Sequence, residues 1–389
     1  MVERELMAPE THSFFLFGAR GVGKSTFLRQ KYLETSFLSI NLLKESEYYS
    51  LSQRPDSLLE RLESAPANSL TIIDEVQRVP ALLNLVHFLI EERKLRFILS
   101  GSSSRKLKRG NANLLAGRAL YYEMFPFTHR ELGNRFDLAS ALNWGTLPGL
   151  LDFPDSEGRI EFLNSYVEVY LREEIVAEQI VRKIPPFRRF LDISAQMNAQ
   201  IINYSQIARE VGVTPDTIKQ YFSIMEETHL GVILPSYHRS IRKQQSQAPK
   251  FYYFDCGVPR AILRTNAAPL NERTSLYGSI FEQFIVLEII RINSYLRKRA
   301  HLSYLRSKDG AEIDLIIEFP NEKTVLLEIK SSQNVSPEML RSLINYKKSF
   351  ENALAFCLSR DPIPREVAGV KLRPWQEGIE EIFSTTQND

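Results

Sequence analysis

The amino-acid sequence predicts an α/β protein made of a parallel-sheet unit, a small helical unit and a second α/β unit. Three observations lead to this prediction. Apolar, strand-like runs alternate with helical segments from residue 13 to residue 130, an order that gives a mostly parallel sheet with helices on both faces. Residues 204–227 have the turn and cap residues of two short helices. From residue 275 a long apolar helix precedes three strand-like runs, a helix and another strand. We therefore expect units at residues 1–130, 131–270 and 271–389.

Composition excludes several classes of protein. The chain has 389 residues and a net charge of only +2, so a site for a polyanion must come from local patches. Its two cysteines, Cys256 and Cys357, have no CxxC partner or histidine cluster nearby, which is typical of buried thiols in a reducing cytoplasm. No apolar run approaches the roughly 20 residues of a membrane helix, so we expect a cytoplasmic protein that does not enter a membrane.

A glycine-rich loop, GARGVGKST, follows the apolar strand expected over Ser13 to Phe17 and opens a helix. It fits the pattern G-x-x-x-x-G-K-[ST], in which backbone N–H groups curl around phosphates at a helix N-terminus. The lysine reaches the β- and γ-phosphates, and the serine hydroxyl ligates Mg²⁺. A chance glycine-rich turn is the alternative, but the flanking strand and helix disfavour it. The sequence thus predicts a site for ATP and Mg²⁺ at Gly18, Ala19, Arg20, Gly21, Val22, Gly23, Lys24, Ser25 and Thr26.

Two carboxylates end the apolar run SLTIIDEVQRVP. Asp74 would hold the Mg²⁺ shell through Ser25 and water, and Glu75 would polarise the attacking water. Two surface acids capping a helix are the alternative. Four buried-type residues precede the pair, however, and open α/β sheets bind ligands at the carboxyl ends of their strands.

Two serines, Ser100 and Ser102, end the next apolar run, RFILSGSSS. They lie where P-loop ATPases place a residue that senses the γ-phosphate. Serine is also favoured at helix N-caps. Both roles are open, because one serine can cap a helix while the other senses the phosphate.

Arg118 directly precedes the last strand of the first unit. In ring-forming ATPases an arginine at this place can reach the nucleotide of the neighbouring subunit and act catalytically on it. The alternative is a surface arginine at a helix end, where the negative end of the dipole attracts a cation. The first interpretation predicts a homo-oligomer, because an arginine supplied in trans requires a neighbour.

Five blocks follow one another as they do in a known family: GARGVGKST, IIDEVQRVPALLNLVHFLIEE, RFILSGSSSRKL, LLAGRALYYEMFPFTHREL and GTLPGLL. The chain resembles a family of prokaryotic AAA-type ATPases whose C-terminal part is similar to restriction-endonuclease folds of the PD-(D/E)XK type. The resemblance covers nearly the whole chain, and its most specific parts are DEVQRVP and LAGR. It implies an ATPase unit followed by a nuclease-like unit.

Helical spacing of apolar residues runs from residue 156 to residue 182, with Ser156 as the expected N-cap. Such a helix would form part of a lid over the nucleotide. Arg172 either senses the nucleotide from this lid or pairs with Glu168, four residues earlier.

A helix-turn-helix of the winged type is predicted over residues 205–227. Gly212 suits the tight turn, Thr214 the N-cap and Pro215 the first turn of the second helix. That helix offers few base-reading side chains and ends in two glutamates, which disfavours reading of a DNA sequence.

Acidic residues are absent from the stretch that follows, Thr228 to Phe254. It is expected to form a flexible basic wing that contacts nucleic-acid phosphates without reading sequence. A solvated loop is the alternative. The residues expected to contact nucleic acid are Lys219, Arg239, Arg242, Lys243 and Lys250.

The segment AEIDLIIEFPNEKTVLLEIKSS reads as a strand, a turn and a second strand. Asp314 and Glu328 would bind a divalent metal, with Glu282 assisting from the preceding helix, because carboxylates suit Mg²⁺. Lys330 shares a strand face with Glu328 and would orient water or stabilise charge. Ion pairs between neighbouring strands are the alternative explanation of the same residues.

These features predict a Mg²⁺-dependent ATP hydrolase that couples its nucleotide state to DNA binding or remodelling. Branched DNA is a reasonable target, because the predicted contacts are to backbone and shape. Two alternatives stay open. One is an ATP-gated switch that acts through a protein partner, and the other is a metal-dependent nuclease that the ATPase loads.

Overall fold

The computed structural model describes residues 2–103, 105, 107, 115, 117–171, 184–238, 248–307, 310–320 and 323–384. Within these ranges it has three sheets, of five, six and three strands. The predicted α/β class, with a parallel sheet in the first unit, is confirmed.

The first unit is a five-stranded sheet in the order β2-β3-β4-β1-β5, and all its strand pairs are parallel. The carboxyl ends of β1, β3 and β4 therefore lie side by side. Its strands are β1 (Ser13–Phe17), β2 (Ser36–Asn41), β3 (Leu70–Asp74), β4 (Arg96–Gly101) and β5 (Ala119–Glu123). Its helices are α1 (Lys24–Tyr32), α2 (Glu45–Gln53), α3 (Ser57–Arg61) and α4 (Leu82–Arg93).

The second unit is mostly helical and has a small antiparallel sheet in the order β6-β8-β7. Its helices are α5 (His129–Leu132), α6 (Leu138–Trp144), α7 (Ser156–Ser165), α8 (Ile184–Gln196), α9 (Tyr204–Val211), α10 (Pro215–Glu227) and α11 (Gly257–Ile262). Its strands are β6 (Gln200–Ile201), β7 (Gly231–Leu234) and β8 (Lys250–Tyr253).

Helix caps in this unit follow the sequence with one exception. Thr214 caps α10 by accepting from the Thr217 N–H, and Gly212 adopts a left-handed φ of 80° after α9. The expected cap of α7 is wrong by one residue. Asp155 accepts from the Gly158 N–H, and Ser156 is already helical; aspartate and serine are about equally favoured as N-caps.

The third unit is a six-stranded sheet in the order β13-β14-β12-β11-β10-β9. Helices α12 and α14 pack on one face, and α13 packs on the other. The strands are β9 (His301–Arg306), β10 (Glu312–Glu318), β11 (Thr324–Lys330), β12 (Leu354–Ser359), β13 (Arg365–Val367) and β14 (Val370–Pro374). The helices are α12 (Ser275–Tyr295), α13 (Arg341–Lys347) and α14 (Trp375–Ser384).

Both cysteines are buried free thiols. In the described ranges, the helices are all too short or too polar to cross a membrane.

Candidate functional site

The glycine-rich loop lies between β1 and α1 and lines a cavity of about 730 Å³. Gly21 and Gly23 adopt left-handed φ angles of 81° and 95°, which glycine tolerates without a Cβ clash. The buried Lys24 ammonium donates to the Gly18 and Ala19 carbonyls at 2.7 and 3.0 Å. It therefore lies directly over the loop that would cradle phosphates.

Asp74 is held by two serine hydroxyls at the end of β3. Ser25 donates to Oδ2 at 2.7 Å, and Ser100 donates to Oδ1 from the adjacent strand β4. Ser100 lies inside β4 and caps no helix, so it orients Asp74. A serine hydroxyl beside a carboxylate is a donor set that Mg²⁺ accepts, and these residues fit the predicted ion.

Glu75 has a left-handed backbone, with φ at 59°. A residue other than glycine pays a conformational cost there, and such strain is concentrated at functional sites. Its Oε2 accepts from the Nε2 of buried Gln77, which also donates to the Ser102 hydroxyl at 3.0 Å. Ser102 itself lies 3.5 Å from the Glu75 carboxylate. Glu75 is thus oriented from its own turn and from the end of β4.

Sequence reasoning missed Gln77. A short helical turn at Val76–Arg78 directs the Gln77 side chain back toward the Glu75 carboxylate. No residue pattern in the sequence predicts such a turn. The sequence feature that relates to this contact is the glycine at residue 101, which has no side chain. A Cβ on Gly101 would lie 2.3 Å from the Gln77 Oε1, so a larger residue there would displace the Gln77 amide.

Tyr166 joins the helical unit to the loop. Its buried hydroxyl donates to the Arg20 carbonyl at 2.8 Å, and a Cβ on Gly21 would lie 3.3 Å from its ring. Tyr166 opens a π-helical turn, Tyr166–Leu171, at the end of α7, a geometry frequent at functional sites. A change of loop shape that moves the Arg20 carbonyl would therefore act on the end of α7. Arg172 lies outside the described residues.

Two arginines have different positions relative to the cavity. Arg118 directly precedes β5, and the first residue of β5 pairs with Ser13 at the start of β1. The glycine-rich loop follows the other end of β1, so it lies about 15 Å from Arg118 at strand spacing. It cannot serve its own cavity, and it pairs with Glu91 of α4. Arg135, which sequence reasoning also missed, is exposed and lines the cavity.

A second cluster of charge lies on the third sheet. The Lys330 ammonium is 2.5 Å from the Glu328 Oε1, and the Asp314 Oδ2 accepts from the Ile329 N–H at 2.7 Å. Burial raises the pKa of Asp314 well above its usual range, and the nearby Glu328 and Glu282 carboxylates raise it further. Burial also raises the pKa of Glu328. The four predicted residues therefore lie close together.

The cluster is not arranged as a metal centre in this conformation. Within the described ranges, no group of three or more acids, histidines or cysteines is placed to hold a metal ion. One ion pair between neighbouring strands is present, as the alternative explanation of these residues expects: Glu312 lies 4.0 Å from Arg306. The Glu328 Oε2, in contrast, is buried and has no partner among the described atoms.

The structure corrects the expectation for Lys250. The residue is not in a flexible wing; it begins strand β8, is 3% exposed, and its ammonium lies 2.9 Å from Glu282 and 2.5 Å from Glu312. Here the local excess of basic residues was misleading, because the neutralising acids come from another unit. Lys219 is exposed and pairs with Asp216. The other three basic residues expected to contact nucleic acid, Arg239, Arg242 and Lys243, lie outside the described residues.

Comparison with protein families divides the chain into three parts. Residues 10–133 match the AAA domain, residues 135–268 match a domain of unknown function (DUF8612), and residues 277–375 match another (DUF4143). The first part is accordingly an AAA-type, P-loop ATPase domain.

Curated relatives include an uncharacterized protein of Mycobacterium tuberculosis, 26% identical over 286 residues. That match covers 72% of this chain and 63% of the relative, so the chain spans less than two thirds of the relative's length. An uncharacterized protein of Methanocaldococcus jannaschii is 21% identical, over 90% of this chain and 81% of its own.

Solved structures give weaker likenesses. The ORC1 protein of Aeropyrum pernix, in complex with DNA, is 13% identical, with a TM-score of 0.29 over 66% of this chain and 87% of its own. The ADP form of the ORC2 protein of the same organism is 12% identical, with a TM-score of 0.32 over 66% and 89%. Likenesses of this size carry no functional conclusion.

Proposed function

We propose that this protein is a Mg²⁺-dependent ATP hydrolase that couples the state of its nucleotide to its contacts with DNA. The observation that carries the proposal is the arrangement at the carboxyl edge of the first sheet. Asp74 is fastened to Ser25 and Ser100, and Glu75 is fastened to Gln77, all facing the loop that bears Lys24.

The side chains have distinct tasks in this proposal. Lys24 leaves the Gly18 and Ala19 carbonyls to bind the β- and γ-phosphates. Glu75, held by Gln77, accepts the proton of the attacking water. Ser25 and Asp74 would hold Mg²⁺, which neutralises phosphate charge when bound.

Coupling to the rest of the chain would run through the cavity wall. Tyr166 fastens the loop to α7, and Arg135 reaches the cavity from the turn after α5. When phosphates displace Lys24 from the loop carbonyls, the loop and Tyr166 move together. The helical unit thereby takes two arrangements, one for each nucleotide state.

DNA contact is proposed for the basic side of the helical unit. Lys219 is exposed on α10, and the sequence places Arg239, Arg242 and Lys243 in the connection that follows β7. These residue types favour phosphate contacts over base reading. A homo-oligomer is part of the same proposal, because Arg118 can act only on a neighbour's nucleotide.

The first test is ATP turnover by the full chain, alone and with single-stranded, duplex and four-way-junction DNA. We expect one of the DNA forms to stimulate ATP turnover. Lys24→Ala should show no turnover with or without DNA, because its phosphate contact is lost. Turnover that is indifferent to every DNA would contradict the coupling and favour a switch that acts through a protein partner. Turnover by Lys24→Ala equal to that of the unchanged protein would contradict the site itself.

A second activity is proposed for the third unit: divalent-cation-dependent cleavage of phosphodiesters on a restriction-endonuclease-like fold. It is supported by the proximity of Glu282, Asp314, Glu328 and Lys330, and by the buried Glu328 oxygen that has no partner among the described atoms. Carboxylates with a neighbouring lysine suit this chemistry.

Cleavage is tested with plasmid and junction DNA in Mg²⁺ or Mn²⁺. We expect Asp314→Asn to abolish cutting and leave ATP turnover unchanged, because the substituted group belongs to the third unit. Glu318→Gln, on the same strand, is the matched control. Equal cutting by Asp314→Asn and the unchanged protein would exclude this site.

A further inference from the structure

We propose that Lys250 and a divalent cation are alternative occupants of the carboxylate cluster on the third sheet. Strand β8 of the helical unit places the Lys250 ammonium among the carboxylates, and a divalent cation enters only when Lys250 withdraws. The inference rests on the proposed cation site of the third unit and is independent of ATP hydrolysis.

Carboxylates and an aromatic ring surround the Lys250 ammonium, as they would a bound cation. Its ammonium contacts Glu282 Oε1 at 2.9 Å and Glu312 Oε1 at 2.5 Å, and it lies 5.4 Å from the centre of the Tyr304 ring. Tyr252, on the same face of β8, donates to the same Glu282 oxygen at 2.8 Å. An ammonium buried this deeply is stable only when opposite charge replaces its lost hydration.

The cluster has more carboxyl groups than ammonium groups. Among the described residues, the carboxylates of Glu282, Glu312, Asp314 and Glu328 surround the ammonium groups of Lys250 and Lys330. Arg306 reaches only the rim, 4.0 Å from Glu312. A divalent cation in place of Lys250 would bring more positive charge to these carboxyl groups than an ammonium does.

An independent observation favours a cation ligand at this cluster. The side chain of Glu328 is buried, and its Oε2 has no hydrogen-bond partner among the described atoms. Glu282 and Glu312, however, are both engaged by Lys250. While Lys250 is in place, the described acids provide no group of three that could hold a metal.

Withdrawal of Lys250 is mechanically linked to the helical unit. Tyr304 of β9 donates through its N–H to the Pro235 carbonyl, directly after β7, and through its hydroxyl to the Ala248 carbonyl, two residues before β8. A shift of β8 against β9 that breaks the hydrogen bond between Tyr304 and Ala248 would remove the ammonium from the cluster. By linkage, cation binding must then favour the shifted arrangement.

Amine labelling of the full-length protein tests the exchange. The chain is treated with an acetylating reagent, without and with saturating Mn²⁺ and without nucleotide, and each lysine is quantified by mass spectrometry. We expect Lys250 to be protected without Mn²⁺ and labelled several-fold faster with it. Lys219, whose side chain is 59% exposed, should be labelled equally in both conditions. Asp314→Asn should remove the Mn²⁺ effect.

Affinity provides the second readout. Lys250→Met should bind Mn²⁺ about tenfold or more tightly than the unchanged protein, because it removes the competitor, and Lys250→Arg should not. Mn²⁺ bound at a site that depends on Asp314 while Lys250 stays protected would overturn the proposal. So would the absence of such Mn²⁺ binding in both the unchanged protein and Lys250→Met. Absence of ATP turnover would contradict the proposed ATPase activity and would not affect the proposed exchange between Lys250 and a cation.

Discussion

Glu75→Gln should reduce ATP turnover by about 10²–10⁴-fold and leave ATP binding intact. Glutamine has the same length as glutamate, and its amide oxygen can still accept from Gln77, whose Nε2 contacts the Glu75 carboxylate. The substitution thus removes the proton acceptor and keeps the shape of the site. The hydrogen bonds of Lys24 to the loop carbonyls and of Ser25 to Asp74 do not involve Glu75.

The measurements are kcat under saturating ATP and the dissociation constant of a fluorescent ATP analogue. Glu92→Gln, on the exposed face of α4, is the matched control and should leave both values unchanged. Turnover by Glu75→Gln within a factor of three of the unchanged protein would remove Glu75 from the chemistry. A parallel loss of ATP binding would mean that Glu75 supports the loop and does not act on water.

Sequence could predict the first site because its parts are contiguous. GARGVGKST and IIDE each carry their own strand, and parallel strands bring their carboxyl ends to one edge of the sheet. The contact between Ser25 and Asp74, 2.7 Å long, therefore follows from the fold class alone. The same reasoning placed Ser100 near the site, although its contact is with Asp74 and not with a phosphate position.

The contacts between units could not be predicted, because only the tertiary structure brings their residues together. Lys250 lies in a stretch without acids, and only the tertiary structure brings Glu282 and Glu312 to it. Tyr166 is one apolar residue of an amphipathic helix until its hydroxyl meets the Arg20 carbonyl, 146 residues away. Local charge and periodicity assign elements well, but they do not specify which element supplies the partner of a buried polar group.

Arg291→Met should destabilise the protein by about 3–5 kcal/mol, because it removes the guanidinium partner of a buried carboxylate. Arg291 is 2% exposed and donates from α12 to the Glu288 carboxylate at 3.1 Å and to the carbonyls of Phe127 and Phe254 at 3.0 Å. The other Glu288 oxygen accepts from the N–H and the ring of His129. This one ion pair therefore joins α12 to the end of the first unit and to the helical unit.

Equilibrium urea unfolding, followed by circular dichroism, measures the effect. Arg209→Met, an exposed substitution on α9, should change the free energy of unfolding by less than about 0.5 kcal/mol. Arg291→Met combined with Glu288→Met should be less destabilised than Arg291→Met alone, because the unpaired buried charge is then removed. A loss below about 1 kcal/mol in Arg291→Met would mean that the three units are held together by their apolar contacts, and that the pair on α12 only sets their orientation.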